Sequence, residues 1–175
     1  MRFKMVFLAL AGAAVLAASG PLLSLDPIVT EQEAIFDPGL LGVWAEDHGK
    51  DLLIIRQNGD RAYRITLVSG STALTFEARL FRAGEARWLD LLPPADALRI
   101  PVHLLVRVWT EGASLRTGML GSEWPGEEAS QQLASRPLRG SLLLTAPGTA
   151  IRVWLMWREP DEKAYCDLTT FQRLQ

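Results

Sequence analysis

Between Leu41 and Leu120 the chain is a succession of short apolar runs in which hydrophobic and polar residues alternate, broken at close spacing by Gly, Asn and Asp. A period of two puts every second side chain on the same face of an extended strand, so this stretch is predicted to fold as antiparallel β-structure. Asp51 to Gln57 and Arg61 to Val68 flank Asn58-Gly59, residues that accept positive φ and mark a hairpin turn. In the second arm Tyr63, Ile65 and Leu67 share one face, while Arg64 and Thr66 share the other. Leu74, Phe76, Ala78 and Leu80 alternate with Thr75, Glu77 and Arg79, and Ala83-Gly84-Glu85 turns the chain into Arg87 to Leu92.

Pro93, Pro94 and Pro101 mark a loop, because proline has no amide to donate within a sheet. Beyond it Val102, Leu104, Val106 and Val108 face one way, and His103, Arg107 and Trp109 the other. Glu111-Gly112 then turns toward Leu115 to Leu120. The pattern changes at Ser122 to Arg136, where Glu127 and Glu128 near Pro125 read as the acidic first turn of a short helix ended by Pro137. Ser141 to Thr145 reads as a strand. Residues 149–159 fit both periods and are read as a helix, capped by Thr149 and stopped by Pro160. Tyr165 to Leu174 reads as a last strand. The expected fold is mainly β with minor α: an antiparallel meander forming a barrel or strongly curved sheet, with one or two short helices in the C-terminal third.

With 175 residues, 49% hydrophobic and 22% charged, the chain suits one globular domain. Eighteen basic against 20 acidic residues leave no basic excess for nucleic acid. A single cysteine, Cys166, excludes an internal disulfide and a cysteine-rich zinc site. Arg2 and Lys4 precede an uncharged run from Met5 to Leu25 whose dense part, Met5 to Ala18, has the length of a signal-peptide apolar region. Ala17, Ala18 and Ser19 offer a cleavage site. The expected organisation is a signal peptide at 1–19, retained to about 25 if it serves as a membrane anchor, a linker at 20–39 containing Pro21, Pro27 and Pro38, and a single β-rich domain at 40–175. Leu16-Ala17-Ala18-Ser19 looks like a lipoprotein signal whose lipid-bearing cysteine is replaced by serine. An exported, periplasmic or envelope-associated protein is the expectation, with membrane attachment through residues 5–25 as an alternative to cleavage.

Gly42-Val43-Trp44, opening the first strand after the expected linker, resembles the Gly-x-Trp opening of lipocalins and related eight-stranded barrels. The resemblance implies that Trp44 closes one barrel end with an arginine packed across it, a place Arg173 in Phe171-Gln172-Arg173-Leu174 can take. Residues 36–175 also look like exported bacterial, often lipoprotein, proteins, a likeness that implies no activity.

No catalytic signature stands out. His48 lies in the turn-like Glu46-Asp47-His48-Gly49, where two carboxylates can hold a cation or a proton, although a solvated turn explains it equally. His103, Arg107 and Trp109 share a strand face and are candidate ligand-binding residues if that face lines a cavity. Gly70-Ser71 and Gly140-Ser141 lack the Gly-x-Ser-x-Gly frame of a nucleophile elbow. Asp90 interrupts an apolar strand: it has a raised pKa if buried, and otherwise faces solvent or pairs with a neighbouring strand's arginine. Cys166 reads as a packing residue, and no metal or cofactor is expected. Six tryptophans are many for this length; Trp154 and Trp157, beside Arg152 and Arg158, are the candidates for an exposed interaction surface. Arg56, Arg64, Arg79 and Arg107 recur on strands and are expected in cross-strand ion pairs. The first functional expectation is a non-enzymatic envelope protein acting as an interaction or structural module for an envelope partner. The alternatives are a lipocalin-like carrier of a small hydrophobic molecule and, third, a hydrolase-type enzyme.

Overall fold

The computed structural model describes residues 20–94, 101–122, 126–157 and 162–174. Its elements are β1 (Leu22–Ser24), β2 (Gly42–Glu46), β3 (Leu52–Gln57), β4 (Tyr63–Ser69), β5 (Thr72–Ala83), β6 (Ala86–Leu92), β7 (His103–Glu111) and β8 (Ser114–Leu120). These are followed by helix α1 (Gly126–Gln132), β9 (Ser135–Leu138), β10 (Ser141–Leu144), helix α2 (Gly148–Met156) and β11 (Tyr165–Arg173). Consecutive strands pair from β2 to β8, and the C-terminal β11 inserts between β8 and β2. Eight antiparallel strands thus close into a barrel with no free edge of their own.

The alternation read in the sequence becomes the two faces of the barrel wall. Trp44, Ile55, Ile65, Leu80, Leu89, Val106, Leu115 and Phe171 point inward into one core. Phe81, Trp88, Leu105 and Leu120 point outward, yet they too are buried, under Ile151, Trp154 and Leu155 of α2 and Ile28 and Val29 of the N-terminal segment. That covering layer explains why neighbours such as Leu80 and Phe81, or Leu104 and Leu105, are both sealed from water. Burying apolar surface on both sides of the same wall contributes roughly 25 cal/mol per Å2 on each side.

At its start β7 leaves β8, whose register begins at Val106 opposite Met119, and pairs instead with β1 through Leu23–Leu104 and Ser24–His103. β10 runs parallel to β1, and β9 forms the outer edge. Leu23, Leu143 and Leu138 of this side sheet join the inner core, whereas Leu22, Leu142 and Leu144 join the outer one.

Several expectations change. The stretch at 20–39 is no linker: Leu22, Leu23, Ile28, Val29 and Ala34 are buried in the body, because their apolar surface outweighs the punctuation by Pro21 and Pro27. The uncharged run does not continue as a helix to Leu25, since Leu22–Ser24 is a strand, and among the described residues no helix is long and apolar enough to cross a membrane. The expected signal peptide at 1–19 lies outside the described residues, as do Trp124, Pro125, Arg158 and Pro160. Pro137 does not merely follow a helix but sits in the edge strand β9, where a missing amide is tolerated. The helix read at 149–159 is α2, but its N-cap is Pro147 without a side-chain bond, so Thr149 does not cap it. Asn58-Gly59 belongs to a five-residue connection closed by Asn58 N–H donating to Ala62 O at 2.9 Å, not to a two-residue turn.

Candidate functional site

At one end the barrel is closed. Trp44 is fully buried and its indole N–H donates to Leu40 O at 3.0 Å. Arg173, directly opposite Trp44 in the β11–β2 ladder, lays its guanidinium 4.1 Å above the indole and donates to Leu41 O at 2.6 Å and to Gly39 O. Gly42 has φ of 137°, and a Cβ there would lie 2.8 Å from Arg173 Nη1. The Gly-x-Trp spacing is thus the space requirement of the guanidinium. Nearby, the Tyr63 hydroxyl accepts from Asp37 N–H at 2.6 Å, and Arg87 pairs with Asp37 at 2.6 Å. Burial raises the Tyr63 phenol above its ordinary range.

The opposite end is different. Thr117 on β8 faces Val108 and Thr169 across the ladders, and these positions alternate with outward Arg116 and Gly118, so Thr117 and Thr169 point inward. Both are nevertheless only half-buried, as are the inward-facing Leu53, Leu74 and Asp167. A side chain that points inside a closed barrel and still meets water faces unfilled space or a mouth. Asp167 accepts from Thr169 Oγ1 at 3.2 Å. Burial pushes its carboxyl up to about 7, against the Thr169 hydrogen bond and with help from the negative charge of Glu46. Cys166, set in the β11 bulge, donates its thiol to Met119 O at 3.6 Å. Burial, then the charge of Asp167, push that thiol up to about 12, which makes it inert. In the sequence Asp167 is one acid in a polar strand, on the same face as Thr169, Phe171 and Arg173; the β8 register shows that this face points inward.

The face of His103, Arg107 and Trp109 does not line the interior. It is the outer face, since Leu104, Val106 and Val108 occupy the inner core. Arg107 is buried with its guanidinium 5.4 Å from the Trp88 ring and 5.2 Å from that of Trp109. His103 Nδ1 donates to Asp90 Oδ1 at 2.6 Å, and Asp90 Oδ2 accepts from Ile28 N–H at 2.9 Å. Asp90 is therefore neither exposed nor ion-paired with an arginine; it ties the N-terminal segment to the wall. Ser24 stands opposite His103, giving the residue types of a nucleophilic triad, but it is fully buried and its hydroxyl donates to Asp26 O at 2.7 Å. His48 lies apart, exposed in its turn at φ 60°.

Trp154 and Trp157 do not form one surface. Trp154 is buried in the outer core, whereas Trp157 is 81% exposed and shares a helical stripe with exposed Val153 and Met156. Arg56 stands opposite Arg64, whose guanidinium bonds Asn58 Oδ1, so the expected cross-strand ion pair is not made there. Among the described residues no group of three or more His, Cys, Asp or Glu can hold a metal. Among the described residues the fold is thus a closed eight-stranded antiparallel barrel with a side sheet and two short helices, with Trp44 and Arg173 packed together at one end and half-buried Thr117, Asp167 and Thr169 facing inward. No family model, curated protein or solved structure matches the chain.

Proposed function

We propose that this protein is a non-enzymatic exported protein of the cell envelope whose barrel holds a small, largely apolar molecule. The observation that carries the reading is the accessibility of inward-facing Thr117 and Thr169 in a barrel whose other end is sealed by Trp44 and Arg173. Small-molecule sites are concave, mostly apolar and carry a few convergent polar groups, and the interior offers Leu53, Leu74 and Met119 beside Thr117, Asp167 and Thr169. The lipocalin-like Gly42-Val43-Trp44 opening points the same way. Export rests on Arg2, Lys4 and the apolar run from Met5.

A second reading, an interaction or structural module that engages another envelope component, is favoured by the exposed Val153, Met156 and Trp157 stripe. Native mass spectrometry of the full chain, exported in a bacterial host and purified without detergent, tests the choice. A stoichiometric small-molecule mass removed by solvent extraction is the expected result. An apo mass that no added apolar compound shifts would transfer the proposal to the interaction module.

A further inference from the structure

The barrel interior is electrostatically one-sided. Of the arginines on the inward face, Arg82, Arg87 and Arg173 all lie toward the sealed end; Arg82 is exposed there, and Arg87 and Arg173 are engaged by Asp37, by Thr110 and by backbone carbonyls. Toward the accessible end the inward charge is carboxylate. Asp167 takes one hydrogen bond, from Thr169, and has no cation partner among the described residues. The titratable groups that bear on it are Glu46 from β2 and Cys166 from its own strand, and neither supplies positive charge. β8 presents Met119 and Thr117, which carry none. A carboxylate in such a place is poorly solvated and repelled by its neighbour, and both penalties are relieved by a cation brought in from outside.

Resting on the carrier reading, we propose that the barrel selects an amphiphile bearing an amine head group, whose ammonium pairs with the Asp167 carboxylate while its apolar body lies against Leu53, Leu74 and Met119. Thr169 holds the carboxylate in place, and an ammonium donates charge-assisted hydrogen bonds that a neutral alcohol does not. An anionic amphiphile meets Asp167 and Glu46 and is rejected. Since burial keeps Asp167 titrating near 7, amine binding strengthens as the pH rises toward that value and levels above it.

The test is displacement of the neutral apolar fluorophore N-phenyl-1-naphthylamine from the full chain by decylamine, decanol and decanoate between pH 5 and 8.5. At pH 8 decylamine is expected to displace it at about tenfold lower concentration than decanol, with the advantage falling by up to about tenfold per pH unit below 7. Asp167→Asn should abolish the advantage of decylamine over decanol at every pH, and Glu46→Gln should move the pH midpoint of the wild-type advantage down. Equal displacement by amine and alcohol, or an amine preference that survives Asp167→Asn, overturns the amine proposal and leaves the carrier reading standing. Failure of the fluorophore and of all three competitors to bind overturns both.

Discussion

The guanidinium of Arg173 lies 4.1 Å above the indole of Trp44, the two residues facing each other across the seam where the last strand of the barrel meets the first. The contact staples the C-terminus over the closed end and satisfies the carbonyls of Gly39 and Leu41. A cation–π contact of about 0.5–2 kcal/mol and charge-assisted hydrogen bonds together make Arg173→Ala cost about 2 kcal/mol or more. Gly42→Ala should also destabilise, but less in the Arg173→Ala background, because the added Cβ then meets nothing at 2.8 Å. Urea denaturation of the two single variants and the double variant measures this; strict additivity would dissociate Gly42 from the guanidinium.

Asp90 holds His103 on one oxygen and the Ile28 amide on the other. Asp90→Ala leaves two buried donors unsatisfied, at about 1–3 kcal/mol each. Hydrogen exchange at the Ile28 amide should accelerate before the barrel unfolds. Unchanged exchange there would show that the N-terminal segment is held by its apolar packing alone.

Burial pushes the Asp167 carboxyl up to about 7, well above the ordinary range of an aspartate. The folded state therefore binds the proton more tightly than the unfolded chain between about pH 4 and 7, and this group's contribution to stability falls as pH rises through that window. Asp167→Asn is expected to raise Tm at pH 8 relative to wild type and to change it far less at pH 4.5. The same Tm difference at both pH values would contradict the raised carboxyl.

Cys166 should react with iodoacetamide at pH 8 far more slowly than free cysteine, because its thiol titrates near 12 and is half-buried against Met119 and Leu120. Denaturation should restore the ordinary rate. Rapid labelling of the folded protein would place the thiol at the surface.

Trp154, in the last turn of α2, and Trp157, just beyond its end, should behave oppositely. Trp154→Ala is expected to cost about 3–5 kcal/mol, as for any large core truncation, whereas Trp157→Ala should stay within about 0.5 kcal/mol. Chemical denaturation of both checks the assignment.

The meander was legible because β2 to β8 follow one another through short connections, and period-two alternation survives in the order of residues. Arg173 was legible only through its resemblance to a barrel-closing arginine. Less could be read where burial comes from outside the barrel. Leu22, Leu23, Ile28 and Val29 sit among prolines and show no strand period, yet they complete a side sheet and cover the wall. The same covering layer hid the meaning of His103 and Arg107: alternation correctly set them apart from Val106 and Val108, but it cannot say which face is interior when both are buried. Asp167 was missed although period two from Phe171 and Arg173 places it on their inward face; what the bulge between Tyr165 and Asp167 changes is the face of Tyr165, which turns outward opposite Leu120.

Filling the interior tests the carrier reading most directly. Thr117→Phe places a ring in the half-accessible space beside Thr169 without touching the Trp44–Arg173 end. Titrated with N-phenyl-1-naphthylamine, the wild-type protein should bind saturably at one site per chain, and Thr117→Phe should lose that site while keeping its circular dichroism spectrum. Absent saturable binding to the wild type, or a site untouched by the substitution, would contradict a ligand held inside the barrel.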